Sequence, residues 1–259
     1  MLETKDLTIR FGGHVAVDRV SCRFEAGTLT AIVGPNGAGK TTYFNLVSGQ
    51  LPASEGQVLL DGEDISALSA PLRTRKGLGR AFQLTQLFPQ LSVQENVRLA
   101  VQAREQGRGH GRGLGGLDLF SVWRDRRDWT DEAQALLQQV RLADRADAPA
   151  ASLPHGDQRK LEVALLMALD PKVYLFDEPT AGMSVDEVPV VLDLIRQLKS
   201  RRDRCILLVE HKMDVVRELS DRIVVLHNGA KVADGEPAEV IALPVVQQAY
   251  LGMAAEEAA

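Results

Sequence analysis

The chain has 259 residues, 45% hydrophobic and 25% charged, enough to bury a substantial core in one large or two small domains. A formal net charge of −5 argues against broad nucleic-acid binding. Cys22 and Cys205 share no metal-type spacing and point to reduced thiols, and no apolar run approaches the ~18–20 residues of a membrane span.

The charged, alternating start "MLETKDLTIRFGG" reads as a strand rather than a signal peptide. "VAVDRVSCRFEAG" and "TLTAIVG" continue as strands, and a helix is expected from Gly39 to about Ser48, closed by "SG". "GQVLLDGEDI" predicts a hairpin through its Asp-Gly turn. From about Ser92 to Ala143, "SVQENVRLAVQAREQ" and "TDEAQALLQQVRLA" space apolar residues for helices. Between them "GRGHGRGLGGLDLF" reads as a mobile Gly/Arg-rich excursion. A helix from about Gly156 follows, then the strand "KVYLFDEP", the helix "DEVPVVLDLIRQLKSR", the strand "CILLVEH", the helix "KMDVVRELS" and one strand "RIVVLHNGAKVADG". "YLF", "ILLV" and "IVVL" are apolar throughout, as in a parallel sheet covered on both faces. The pattern is an α/β core interrupted by a helical insert, without internal repeats.

"GPNGAGKTT" (Gly34, Pro35, Asn36, Gly37, Ala38, Gly39, Lys40, Thr41, Thr42) matches G-x-x-x-x-G-K-[ST] between an expected strand and an expected helix. Glycines let successive N–H groups converge on phosphate oxygens at a positive helix end. Lys40 is placed to reach the terminal phosphates, and Thr41 offers a hydroxyl to Mg²⁺. "VYLFDEP" ends a buried strand in Asp177 and Glu178, a costly place for two carboxylates unless a cation or a reaction uses them. Asp177 is expected in the Mg²⁺ shell, and Glu178 as the group that activates or positions the attacking water. Phosphate loop and acidic strand end together predict nucleotide hydrolysis.

In this context the turn "LPHGD" before the acidic strand, and "VEH" after the next strand, make the chain resemble the ABC transporter nucleotide-binding domain, from about Leu2 to Glu239. The resemblance implies a P-loop NTPase α/β fold with an N-terminal antiparallel β subdomain. Residues 1–83 and 156–240 would form the ATP-binding core, 84–155 the helical insert and 241–259 a tail. It places Leu153, Pro154, His155, Gly156 and Asp157 at the signature, contacting nucleotide held by an opposed subunit. Gln83 falls in the Q-loop, completing the Mg²⁺ and water shell. Ala181, Gly182, Met183 and Ser184 form the D-loop, and His211 is the histidine that senses the γ-phosphate. Phe11 stands where the family stacks an aromatic on adenine, the alternative being an ordinary core residue.

Pro154 replaces the usual serine and lacks an N–H, His155 replaces a glycine and could donate instead, and Ser184 replaces an aspartate. Asp157 replaces glutamine, where it could cap the helix or repel phosphate. These departures favour pairing with a different ATPase subunit over a homodimer that tolerates the variation. "RFGG", "FQLTQLFPQLSVQENV", the insert, "LEVA", "AGMS" and "VVQQAYLG" resemble the ATPase subunits of branched-chain amino-acid importers. That resemblance implies two membrane permeases, a periplasmic binding protein as an indirect partner, no nucleic acid, and a cytoplasmic position on the inner face of the membrane. "LTQLF" is expected either to receive a permease helix or to pack within the insert. The basic insert reads as a solvated loop, with lipid headgroups as the alternative contact, and "VWRDRRDW" as an exposed helix face. The cargo stays open among branched-chain amino acids, urea, amides and aromatic acids. A soluble ABC ATPase of iron–sulfur cluster assembly is the alternative from another class.

Overall fold

The computed structural model describes residues 1–81, 87–107 and 127–248. The expectations on Gln83, on residues 84–86, on most of the Gly/Arg-rich excursion, on the first part of "VWRDRRDW" and on the end of the tail fall outside these residues. The chain divides into two compact units, one from 1–80, 172–179 and 196 onward, the other from 81–171 and 180–195. Among the described residues no helix is long and apolar enough to cross a membrane.

The first unit carries two sheets. β1 (Leu2–Phe11), β2 (His14–Phe24), β4 (Glu55–Leu60) and β5 (Glu63–Asp64) form an antiparallel sheet in the order β2-β1-β4-β5. The second sheet runs, in order, β10 (Ala230–Gly235), β9 (Arg222–His227), β3 (Leu29–Val33), β8 (Cys205–Val209), β7 (Val173–Asp177) and β6 (Leu78–Ala81). In it β3 lies parallel to both β8 and β9, and β7 is parallel to β8. β3, β7 and β8 are buried at every position, which is what their unbroken apolar runs require of central strands. Alternate residues serve opposite faces. Ile32, Leu207 and Val224 join Phe44 of α1 (Lys40–Ser48) and the inner residues of β1 and β2 in the larger core. Ala31, Val33, Ile223 and Val225 pack with Val216 of the helix Met213–Leu219 and Val240 of the helix Pro237–Ala242. Val246, within the expected tail, is buried in that second cluster.

The stretch expected as one strand, "RIVVLHNGAKVADG", is instead a hairpin of β9 and antiparallel β10 (Ala230–Gly235). Asn228 and Gly229 both take positive φ, 48° and 77°, the two-residue turn that Asn-Gly specifies. The hairpin expected at Asp61-Gly62 forms, with φ of 51° and 84°. Two short elements between them escaped the pattern, α2 (Ala70–Lys76) and β6 (Leu78–Ala81). Arg73 of α2 is fully buried and donates to the carbonyls of Leu46, Val47, Ser66 and Leu68, so it satisfies the carbonyl end of α1.

In the second unit α3 (Val93–Gly107) packs on α4 (Arg127–Gln139) and α5 (His155–Leu169). Ser92 and Glu95 close a reciprocal capping box at the start of α3. At its other end Arg104 makes a two-point pair with Glu132, both bonds 2.7 Å, and reaches the carbonyl of Ala168.

Candidate nucleotide site

The loop after β3 is shaped by its glycines. A side chain at Gly34 would overlap the Leu226 carbonyl, and a Cβ at Gly39 would lie 2.5 Å from the Ala16 carbonyl oxygen. Gly37, at φ 77°, faces open space. The β9–β10 turn braces the loop, since Gly229 N–H donates to Ala38 O at 3.1 Å and Asp18 N–H to Gly229 O at 2.9 Å. α1 begins at Lys40 with no side-chain cap and no acidic residue in its first turn, which leaves its positive end available to an anion. Lys40 is only 6% exposed, and its Nζ donates to the carbonyls of Gly34 at 2.7 Å and Pro35 at 2.8 Å. Burial lowers its pKa, opposed by the charges of Glu178 and Asp177. Asn36, Gly37 and Thr41 are exposed, while Pro35, Gly39 and Thr42 are half-buried.

At the end of β7 Asp177 is 7% exposed and pairs with Arg80 of β6 at 2.6 Å. A buried carboxylate needs such a counter-charge. The other guanidinium arm is held by Asn45 Oδ1, Ser48 Oγ and Gln50 Oε1 at 2.7–3.0 Å, and the group lies over the Phe44 ring. Arg80 was not a sequence candidate. Its only signal is an isolated cation in "GLGRAF", three positions before Gln83. Arg80→Met is expected to destabilise the chain by about 3–5 kcal/mol, because Asp177 stays buried without its partner. A urea unfolding midpoint equal to that of the parent would refute this role.

The chain then turns sharply outward. Glu178 adopts φ 51°, a conformation non-glycine residues rarely hold and one that costs of order 1–3 kcal/mol. Its N–H is tied to Val209 O at 2.9 Å, and its carboxylate meets His211 Nε2 at 2.7 Å. Glu210, buried beside it, accepts the backbone N–H groups of His211 at 2.8 Å and Lys212 at 3.3 Å and so sets the turn that presents the imidazole. Lys40, Asp177, Glu178 and His211 thus form one electrostatic neighbourhood at the carboxyl ends of parallel strands, the usual ligand edge of such sheets.

The described residues contain no cage of three acidic, histidine or cysteine ligands. One exposed threonine hydroxyl and one fixed carboxylate suit a magnesium ion held chiefly by phosphates and water, the mode that ion favours. Phe11, at the end of β1 opposite His14, is 50% exposed, which removes the core reading and leaves an open aromatic face.

In the second unit Pro154 is the N-cap of α5, its carbonyl accepting Gln158 N–H at 2.9 Å. Leu153 is buried, its carbonyl accepting Gln158 Nε2 at 2.9 Å, while Pro154 and His155 are exposed. Asp157 neither caps the helix nor stands unpaired, since Lys160 Nζ holds its carboxylate at 2.8 Å. The repulsion expected of that replacement is therefore largely neutralised within the helix. Ala181 and Met183 are half-buried and Gly182 and Ser184 exposed; a Cβ at Gly182 would lie 3.1 Å from the His155 ring.

Comparison with known proteins matches residues 17–181 to the family described as ABC transporter. The branched-chain amino acid transport ATP-binding protein BraF of Pseudomonas aeruginosa is 39% identical, covering 98% of each chain. LivG of Escherichia coli, with the same description, is 36% identical over 98% of each. The solved ADP conformation of MJ1267, an ATP-binding cassette of an ABC transporter, superposes with a TM-score of 0.79 at 27% identity, over 97% of this chain and 98% of that one.

Proposed function

The chain belongs to the ABC transporter ATP-binding family and hydrolyses ATP to power transport, and on that basis we propose that it drives uptake of branched-chain amino acids through partner permeases. The observation that carries the chemical part is the Glu178–His211 pair at the strand ends beside Asp177 and Lys40. The backbone N–H groups of Gly34 and of residues 36–42 cradle the triphosphate, Lys40 meets its terminal oxygens, and Phe11 stacks on the adenine. Thr41 and Asp177 would hold a magnesium ion, which would neutralise charge on the transferring phosphoryl group. Glu178 accepts the proton of the attacking water, and His211 positions that carboxylate and senses the γ-phosphate.

Leu153–Asp157 and Ala181–Ser184 close over nucleotide held by an opposed ATPase subunit. With Pro154 offering neither a hydroxyl nor an N–H, that subunit is a different chain supplying the fuller signature. Two permeases hold the pair at the inner face of the membrane, with a periplasmic binding protein upstream. The cargo follows from the described roles of BraF and LivG.

The test is affinity purification of the tagged chain from detergent-solubilised membranes, followed by ATP turnover in liposomes. Recovery of two permeases and a second ATPase, with turnover stimulated by leucine-loaded binding protein, is the expected result. Recovery with soluble partners alone would overturn the import reading.

A further inference from the structure

Glu187 follows the 181–184 segment and lies against α5 within the same unit. Its Oε2 accepts the Ser184 N–H at 3.0 Å and the Ser184 hydroxyl at 2.9 Å. Its Oε1 is 3.6 Å from Lys160 Nζ, the same ammonium that binds Asp157. Both carboxylate oxygens fill the space that a Cβ on Gly156 would occupy. The Ser184 bonds, which favour the ionised form, hold this carboxyl below its usual pKa.

We infer that Glu187 is a positioning residue that latches segment 181–184 to the start of α5, and that glycine at 156 leaves the Glu187 carboxylate the space in which it makes this latch. A glutamate side chain is flexible, so a methyl group at 156 would not be blocked outright. It would expel the carboxylate, and the expelled carboxylate would lose Ser184 and move off Lys160. A substitution on α5 thereby becomes a displacement of the 181–184 segment. Lys160 carries the coupling on to Asp157, because one ammonium is shared between the two acids at the helix start. The inference rests on the ATPase reading for its catalytic consequence but not for the latch itself.

Two measurements separate these. On the full chain alone, a double-mutant cycle of thermal unfolding midpoints with Gly156→Ala, Glu187→Ala and the double variant is expected to be non-additive. On the full chain with its co-purifying subunits, each single variant is expected to lower ATP turnover roughly tenfold while ATP affinity stays within about twofold, because segment 34–42 is untouched. The double variant should resemble the worse single one rather than multiply the losses. Glu187→Gln, which keeps an acceptor for Ser184, should recover most of the turnover that Glu187→Ala loses. Additive unfolding shifts together with multiplied turnover losses, or parental turnover in Glu187→Ala, would overturn the latch. Absence of turnover in the parent would defeat the ATPase reading instead and leave the unfolding cycle to decide the latch.

Discussion

Glu178→Gln is expected to retain ATP binding and to lose turnover by about 10²–10⁴-fold, the range for removing a positioned proton acceptor. Glutamine preserves the size of the side chain and can keep a hydrogen bond to His211, so the strained turn at φ 51° and its tie to Val209 survive. What disappears is the basic oxygen and one of the two negative charges that raise the pKa of buried Lys40. The phosphate cradle itself is unaltered. Equilibrium binding of a fluorescent ATP analogue and a phosphate-release assay separate the two effects. Parental hydrolysis in this variant would assign the base elsewhere, and loss of binding would make Glu178 a structural support of the loop.

Lys40→Ala is expected to weaken ATP binding by about 10²-fold, close to 3 kcal/mol, at the upper end for a charge-assisted hydrogen bond. Two losses combine. The ammonium that meets the terminal phosphates is gone, and so are the bonds from Nζ to the carbonyls of Gly34 and Pro35 that hold the loop folded over the helix start. Lys40→Arg should not rescue it, because a planar fork cannot replace a compact ammonium in a 6% exposed position between two carbonyls. Isothermal titration with ATP checks this directly. An affinity within twofold of the parent would show that the backbone N–H groups and the helix dipole suffice.

The central sheet was legible because burial on both faces forces strands to be apolar at every position, and β3, β7 and β8 are. The phosphate loop and the Asp177–Glu178 strand end were legible because their chemistry is local: glycine where the backbone must approach closely, carboxylates where a strand stops. The β9–β10 hairpin was misread although Asn228-Gly229 announced it, because apolar residues resume at Ala230 and Val232 directly after the turn. Arg80 and Glu187 were not legible. Each owes its role to partners distant in sequence or across a turn: Asp177 and α1 for Arg80, Gly156 and Lys160 for Glu187. α2 and β6 were lost for a related reason, since the charges of "APLRTRKGLGRA" hide the burial of Arg73 on four carbonyls. A local pattern reports which residues want to be inside, and a buried cation defies that pattern by construction.

The same limit explains Asp157. Met from sequence alone it is an acid at a helix start that should greet phosphate, and it reads as a defect. Its partner Lys160 lies only one turn further on, the i,i+3 spacing at which helical side chains meet. The pairing offsets part of the negative charge that the replacement places beside exposed His155.

The most direct measurement is a crystal structure of the Glu178→Gln variant grown with magnesium and ATP. The triphosphate is expected within hydrogen-bond distance of the backbone N–H groups of Gly37 to Thr41, with Lys40 Nζ on its terminal oxygens and the residue-178 side chain facing the γ-phosphate. Nucleotide bound away from this loop, or a γ-phosphate out of reach of both position 178 and His211, would contradict the account.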